Sequence, residues 1–285
     1  MLPARTGEGR QGMMETGIST ACFFGKAFTE EAVDHIAKMG APVCEIFLDT
    51  YSEYEQDFAR MLRDRADANG LAVRSVHAMS TQFEPQLFSI NGRQQKDARA
   101  LMEKVFSAAR TLGAGIYVFH GPPAFRRTLR LLSDYERMGA IVSGLADTAA
   151  QYGLRFTWEN VHWCAYGHER FAKRLLEHVK SENLYFTLDI KQAVMSGRTV
   201  AEYMEDMGPL IANVHLCDYR HTGDGRVLTC LPGAGELDMA WLRSGLERCG
   251  YGGAVILEVY SDNYRTFEEL GESYAKVKEA FTAPV

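Results

Sequence analysis

Short apolar runs alternate with longer amphipathic stretches along the chain, and the two kinds of segment exchange places about eight times. The short runs are rich in β-branched and aromatic residues, which is typical of strands. Strands are predicted at residues 17–20, 42–47, 72–77, 115–120, 154–159, 184–189, 211–216 and 254–259. Because sequential strands joined by helical crossovers are parallel, eight such units predict an α/β fold of one (β/α)8 TIM barrel.

The amphipathic stretches are predicted helices with one apolar face and well-marked ends. In the first of them, Val33, Ile36 and Ala37 share a face that can cover a sheet. A glycine follows five of these stretches, at Gly40, Gly70, Gly113, Gly153 and Gly250. A left-handed residue at such a position ends a helix and turns the chain back. No GxGxxG or GxxxxGK[ST] segment follows a strand, which disfavours a doubly wound nucleotide-binding fold.

Size and charge narrow the class of protein. A chain of 285 residues with 46% hydrophobic content is long enough for one large core. We therefore expect a disordered leader over residues 1–16 and a single barrel domain over residues 17–285. No run of about 18 apolar residues is present, so we expect no membrane span. The formal charge of −6 offers no general attraction for nucleic acid.

The spacing of the cysteines and the composition of the N-terminal leader bear on the cellular compartment of the protein. Six cysteines are scattered without a CxxC pair, several of them inside apolar runs, which favours reduced and buried thiols. The leader has no apolar segment of the kind found in secretory signals. We therefore expect a cytoplasmic protein.

Six of the predicted strands finish in an ionisable side chain directly after an apolar run. These side chains are His77, His120, Glu159, Asp189, His215 and Glu258. Buried parallel strands are usually apolar throughout, and the C-terminal strand ends of a barrel form its active-site mouth. One histidine there is most simply a satisfied polar group. Six ionisable groups at one mouth need a cation or a proton network to offset their charges.

A divalent metal ion is the simplest such cation. Carboxylates and imidazoles without thiolates suit Mn²⁺, Mg²⁺, Co²⁺, Fe²⁺ or Zn²⁺, and the majority of carboxylates favours Mn²⁺ or Mg²⁺, with Mn²⁺ first. A metal held by strand ends keeps coordination positions open for substrate oxygens. It then acidifies the C–H bond beside a carbonyl by acting as a Lewis acid.

Several of these strand ends lie in segments with a familiar order and spacing. The segments are Trp158-Glu159-Asn160, Leu188-Asp189, Val214-His215-Leu216-Cys217-Asp218, Gly233-Ala234-Gly235-Glu236-Leu237-Asp238 and Leu257-Glu258. Together they resemble the xylose-isomerase-like barrels of sugar and sugar-phosphate isomerases and epimerases, a superfamily that also contains apurinic-site endonucleases. The resemblance extends over nearly the whole chain after residue 16 and is nearest to the ketose 3-epimerase type.

The resemblance implies a division of roles among the site residues. Glu159, Asp189, His215 and Glu258 would hold one divalent metal ion, and Glu159 and Glu258 would also act as acid and base on opposite faces of a small sugar or sugar phosphate. A partly desolvated carboxylate beside a metal can have its pKa moved toward the range where proton exchange is efficient. The expected substrate-binding residues are His77, His120, Trp158, Gln192 and Arg220.

The departures from the family pattern leave other functions open. Many relatives have a histidine where this chain has Gln192, so a multi-zinc nuclease is disfavoured. A lyase that dehydrates an inosose or keto-sugar would use the same metal and base, and a non-catalytic barrel would keep the carboxylates as a binding site. Arg126, Arg127 and Arg130 could attract a phosphate, although short basic stretches are more often solvated. Relatives are often dimers or tetramers, so a homo-oligomer is compatible with the resemblance.

Overall fold

The structure, a computed structural model, describes residues 14–124, 133–167 and 170–282. The strands in these ranges are β1 (Thr16–Ser19), β2 (Val43–Leu48), β3 (Ala72–Ala78), β4 (Ile116–Phe119), β5 (Arg155–Glu159), β6 (Leu184–Asp189), β7 (Ile211–Leu216), β8 (Asp218–His221), β9 (Val227–Cys230) and β10 (Val255–Leu257). Eight of them form a closed parallel barrel in the order β1-β10-β7-β6-β5-β4-β3-β2. The predicted (β/α)8 TIM barrel is confirmed.

Helices surround the barrel and follow the predicted pattern. The α-helices of the described ranges are α1 (Thr29–Lys38), α2 (Gln56–Ala68), α3 (Gly92–Leu112), α4 (Tyr135–Gln151), α5 (Phe171–Leu176), α6 (Ile190–Met195), α7 (Val200–Met207), α8 (Met239–Arg248) and α9 (Phe267–Thr282). In α1, Val33 and Ile36 are fully buried as predicted, whereas Ala37 is partly exposed and Ala32 is buried in its place. None of the helices in these ranges has the length and apolar character needed to cross a membrane.

The predicted helix ends are also confirmed. All five glycines expected to end helices have positive φ angles, between 64° at Gly70 and 79° at Gly113. An L side chain at such an angle is strained, and glycine is not. Each of these glycines stands shortly before a strand, so it reverses the chain from the helical layer into the barrel.

The first strand begins earlier than expected. β1 begins at Thr16, Met14 is buried, and the Met14 N–H donates to the Phe281 carbonyl at 3.2 Å. Residues 14–16 therefore belong to the barrel and not to the leader predicted over residues 1–16. Residues 1–13 lie outside the described residues, as do Arg126, Arg127 and Arg130.

A small antiparallel hairpin after β7 was not predicted. It pairs β8 with β9, so that Asp218 is opposite Cys230 and His221 is opposite Val227. The hairpin residues are mostly partly or fully exposed, with Asp218 buried, and β8 reads Asp-Tyr-Arg-His. Such a strand lacks the apolar runs and the alternation by which the barrel strands are recognised.

Strand register brings the ionisable side chains together on the inner face of the barrel. β6 and β7 pair Asp189 with His215 and, one layer below, Thr187 with Asn213. Because side chains alternate along a strand, residues two apart point to the same face. The Thr187 hydroxyl donates to that of Thr157 at 2.7 Å, so hydrogen-bonded polar side chains fill the layer beneath. The ionisable layer thus lies on a polar floor.

Candidate functional site

Four side chains at consecutive strand ends form the centre of the mouth. Glu159 ends β5, Asp189 ends β6, His215 is near the end of β7, and Glu258 directly follows β10. Each offers one ligand atom, and these four atoms lie within 4.8 Å of one another. His215 and Asp189 are fully buried, and Glu258 is 8% exposed. The four residues proposed from the sequence therefore converge.

His215 is oriented by a carboxylate on a distant strand. Its Nε2 atom lies 2.9 Å from Oε2 of Glu45, and its Nδ1 atom lies 2.8 Å from Oε2 of Glu258. Glu45 is fully buried on β2 and also accepts hydrogen bonds from the hydroxyls of Ser19 and Ser75. A carboxylate that holds one imidazole nitrogen fixes the ring and presents the other nitrogen to a metal. Glu45 therefore supports His215 from below.

Electrostatics keeps this cluster charged. Burial lowers the pKa of His215, but Glu258 and Glu45 raise it by more, and the net pKa lies well above its ordinary value. Burial raises the pKa of Glu258, but His215 and Lys191 lower it by more, and the net pKa lies well below its usual range. Asp189 differs, because burial outweighs its partner Lys191 and raises its pKa to about 6.

The donor set fits a divalent cation. Nδ1 of His215 is buried beside three carboxylates and has no hydrogen bond of normal geometry within the described part of the chain. Oδ1 of Asp189 accepts the Gln192 backbone N–H at 2.8 Å, which leaves Oδ2 facing the other ligand atoms. An orphaned imidazole nitrogen and converging carboxylate oxygens are the ligands that Mn²⁺, Zn²⁺ and similar ions take.

Lys191 is a functional candidate that the sequence reasoning missed. Its ammonium donates to Oδ2 of Asp189 and, at 2.7 Å, to Oε2 of Glu258. The side chain is 4% exposed, and burial would lower its pKa, but Asp189 and Glu258 raise it well above the ordinary value. In the sequence, the signal for this residue was its position two residues after Asp189, which ends a predicted strand.

His77 and His120 extend the cluster on the side of Glu159. Nε2 of His120 lies 2.6 Å from Nε2 of His77 and 2.8 Å from Oε2 of Glu159. Burial and the neighbouring His120 lower the pKa of His77 to about 4, so His77 is neutral. Burial lowers the pKa of His120, but Glu159 raises it by more, and the net shift is upward. His120 thus links a neutral imidazole to a ligand carboxylate.

A buried glutamate that the sequence reasoning missed holds the turn of His120. Oε2 of Glu84 accepts the backbone N–H groups of His120 and Gly121, both at 3.0 Å, and Oε1 accepts the Tyr117 hydroxyl at 2.7 Å. Glu84 is fully buried, which raises the pKa of its carboxyl to about 7. Its signal in the sequence was an acidic residue directly after Phe83 in a short segment that ends in Leu87 and Phe88.

A cavity of about 430 Å³ opens over the cluster. Its floor includes His77, His120, Glu159, Lys191 and Glu258. Its walls include the apolar or aromatic residues Phe24, Phe47, Trp163, Val259 and Tyr260. The cavity has the size of a small-molecule site, and its lining combines ionisable groups with apolar and aromatic side chains.

Three residues expected to bind substrate have different surroundings. Gln192 lines the cavity, and its Oε1 accepts the backbone N–H of His162 at 3.2 Å. Trp158 does not line the cavity, because its ring is fully buried against Phe119 and Phe171 and donates through Nε1 to the carbonyl of His120. The expectation for Trp158 is therefore corrected to support of the His120 turn.

Arg220 also lies outside this cavity. It is exposed on β8, and its Nε donates to the Ala234 carbonyl. Arg220 belongs to the hairpin of β8 and β9, which the strand pattern of the sequence did not predict. The expectation that Arg220 lines the mouth is corrected accordingly.

The Gly233–Asp238 segment, part of the resemblance, has a structural partner. The buried carboxylate of Asp218 accepts the backbone N–H groups of Gly233 at 3.0 Å, Gly235 at 2.8 Å and Leu237 at 2.9 Å. A Cβ on Gly235 would lie 2.3 Å from Oδ1 of Asp218, so only glycine allows this close approach. Asp218 therefore fixes a loop and does not face the metal ligands.

Solved structures with the same architecture include sugar epimerases. D-psicose 3-epimerase from Clostridium cellulolyticum H10 has a TM-score of 0.73 at 18% identity, over 94% of this chain and 96% of that chain. A D-tagatose 3-epimerase-like protein has a TM-score of 0.73 at 20% identity, over 93% and 99%. The IolI protein with a bound zinc atom has a TM-score of 0.75 at 16% identity, over 94% and 98%. At these identities the likeness shows the shared fold.

Sequence comparison identifies the family of this chain. An uncharacterised protein of Mycobacterium leprae is 23% identical over 274 residues, which is 90% of this chain and 92% of that protein. The family described as xylose isomerase-like TIM barrel matches residues 33–281. Since that match includes most of the barrel and all four converging strand-end residues, this chain belongs to the xylose isomerase-like TIM barrel family.

Proposed function

We propose that this protein is a divalent-metal-dependent isomerase or epimerase that acts on a sugar or sugar phosphate. The observation that carries the proposal is the convergence of Glu159, Asp189, His215 and Glu258 within 4.8 Å at the floor of a cavity of about 430 Å³. Proteins of the same fold that include D-psicose 3-epimerase and a D-tagatose 3-epimerase-like protein support it. Mn²⁺ is the first expectation for the metal because three of the four ligands are carboxylates.

The chemistry follows from the positions of the two glutamates. A bound divalent metal would supply Lewis acidity that polarises a substrate carbonyl and acidifies the neighbouring C–H bond. Glu159 and Glu258 both line the cavity, so each can exchange a proton with a substrate carbon from its own side. His120, 2.8 Å from Oε2 of Glu159, is positioned to donate to that carboxylate or to a substrate hydroxyl.

The remaining cavity residues would orient the substrate. His77 is neutral, so it can accept a hydrogen bond from a hydroxyl or donate one to it. The Gln192 amide lines the cavity where many relatives place a histidine. Trp163 and Tyr260 line the walls and offer apolar faces to a sugar ring. We also propose a cytoplasmic location, because all six cysteines are free thiols.

Elemental analysis and a substrate screen test the proposal. We expect the purified protein to contain a divalent metal and to interconvert at least one member of a panel of ketoses, aldoses and their phosphates. Glu159→Gln and Glu258→Gln should each lower turnover by about 10²–10⁴-fold, the usual contribution of a general acid or base. Glu205→Gln, on the exposed pair with Lys173, is the matched control and should retain activity. Full activity in either site variant would refute the assignment.

Solvent isotope exchange separates this reaction from dehydration at the same site. In deuterated water, an isomerase or epimerase that exchanges its proton with solvent incorporates deuterium and keeps every hydroxyl group of the substrate. A dehydratase instead yields a product that has lost water. Mass spectrometry of the product distinguishes the two, because the first change adds one mass unit and the second removes a molecule of water.

A further inference from the structure

Lys191 is the feature of the site that the proposed function does not explain. It is the second residue of α6, close to the positive end of the helix dipole, where a cation is disfavoured. It is also only 3% exposed, and lysines are rarely buried unless they are paired. Two unfavourable conditions at one position indicate that a specific interaction compensates for them.

The compensating interaction uses the atoms that a metal ion needs. The Lys191 ammonium binds Oδ2 of Asp189 and Oε2 of Glu258. Oδ1 of Asp189 already accepts the Gln192 N–H, so Oδ2 is the oxygen of Asp189 that faces the other ligands. Oε2 of Glu258 is likewise the oxygen beside Nδ1 of His215. The ammonium and a divalent cation therefore compete for the same two oxygens.

Charge balance favours the same conclusion. Glu159, Asp189 and Glu258 are three buried carboxylates within one ligand set, and like charges so close together are costly in a protein interior. In the metal-free protein Lys191 offsets two of them directly. A divalent cation supplies the positive charge in its place, and it is then repelled by an ammonium on its own ligands.

The cavity offers the Lys191 ammonium another position when a metal binds the oxygens of Asp189 and Glu258. Lys191 lines the cavity, and its Nζ atom is 5.6 Å from the centre of the Tyr260 ring, which is the range of a cation–π contact. The flexible four-carbon stem of a lysine allows such a shift without movement of the helix. Tyr260 is 43% exposed at the cavity wall, so the new position would be solvated.

We propose that Lys191 is the resident counter-ion of the metal-free site and that its ammonium must leave Asp189 and Glu258 when a divalent cation binds. Lys191 therefore stabilises the protein without metal and lowers its affinity for metal. The inference rests on the proposed function to the extent that a divalent cation binds these ligands.

The test compares neutral and charged variants in two measurements that need no substrate. Thermal unfolding in the presence of a chelator reports the metal-free protein, and calorimetric titration with Mn²⁺ alone reports affinity. Lys191→Met should melt several degrees lower than the wild type without metal, yet bind Mn²⁺ at least about tenfold more tightly, the ratio expected when one charge-assisted hydrogen bond no longer has to be broken. A purely structural lysine would lower both stability and affinity.

Two further variants and one control make the result specific. Lys191→Arg keeps the charge and should retain an affinity near that of the wild type. Lys191→Gln is a second neutral variant, with a polar group that is better tolerated if Lys191→Met does not fold. Lys104→Met, on the exposed pair with Glu55, should change neither quantity.

The outcomes separate this inference from the proposed function. Tighter Mn²⁺ binding by the neutral variants supports the inference, and it does so most strongly if the wild type binds poorly. Unchanged or weaker binding by both neutral variants, beside a wild type that binds Mn²⁺, overturns the inference alone. No binding by the wild type or by either neutral variant overturns the inference and the proposed metal site together.

Discussion

Nε2 of His215 lies 2.9 Å from Oε2 of Glu45, a residue 170 positions earlier in the chain and on a strand that does not pair with β7. Both side chains are fully buried inside the barrel. Since a carboxylate only accepts hydrogen bonds, the contact keeps a proton on Nε2. Nδ1, which lies beside the carboxylates of Glu258, Glu159 and Asp189, is then the nitrogen at which a metal would replace a proton.

Glu45→Gln should therefore weaken metal binding although Glu45 is not a ligand. Loss of such a supporting carboxylate typically lowers metal affinity by about 10–100-fold. Titration with Mn²⁺ or Zn²⁺ measures the effect, and circular dichroism checks that the barrel is folded. Glu205→Gln, an exposed substitution, is the control. An affinity equal to that of the wild type would show that His215 is oriented without Glu45.

The raised pKa of the buried Glu84 carboxyl should make the stability of the protein depend on pH. Burial raises the pKa of its carboxyl from 4.5 to about 7 in the folded protein, so the folded state binds the proton more tightly than the unfolded state. The contribution of this protonated carboxyl to the free energy of unfolding is complete below pH 4.5 and is lost as the pH rises through about 7. Relative to Glu84→Gln, the wild type should lose about 3 kcal/mol of unfolding free energy across that interval.

Urea denaturation at half-unit pH steps measures this difference. The comparison between the wild type and Glu84→Gln cancels the other groups that titrate in the same range, including Asp189. Glu177→Gln, on the surface, is the matched control. A difference between wild type and Glu84→Gln that stays constant from pH 4.5 to pH 7 would contradict the prediction.

Gly121 should not tolerate a side chain. Its φ is 79°, and a Cβ there would lie 2.4 Å from Cζ2 of Trp158. Gly121→Ala adds backbone strain and overpacking, so we expect it to lower the unfolding free energy by about 2–4 kcal/mol. Gly40→Ala has a similar φ of 74° with no atom within 4 Å of the new Cβ, and should cost only about 1 kcal/mol. Equal losses in the two variants would mean that Trp158 moves aside freely.

Asp218 should matter for stability more than its neighbours in the hairpin. Its carboxylate accepts backbone N–H groups from Gly233, Gly235 and Leu237. Asp218→Asn replaces one acceptor oxygen by a donor, so at least one of these N–H groups loses its partner on the buried side chain, at a cost of about 1–3 kcal/mol. Asp224→Asn, exposed in the adjoining turn, is the control. Denaturant unfolding should show a large loss for the first variant and little for the second.

The sequence by itself determined the barrel and the ionisable strand ends, and its resemblance to a known family selected four of these as the proposed metal ligands. Alternation between short apolar runs and amphipathic stretches is a local property, and parallel crossovers leave few topologies for eight such units. Once the strands are known, the two-residue repeat and the shared direction of the strands bring Glu159, Asp189, His215 and Glu258 to one mouth. Each of these steps depends only on residues near one another in the chain.

Only the tertiary structure decided what surrounds those ligands. Glu45 meets His215 across the barrel interior, and Glu84 caps the turn of His120 from another loop. Lys191 turns into the site because α6 begins directly after Asp189, whereas Trp158 packs against Phe171 of α5 in the layer between strands and helices. These contacts join residues that are distant in sequence or depend on the direction of a loop, which local periodicity does not encode.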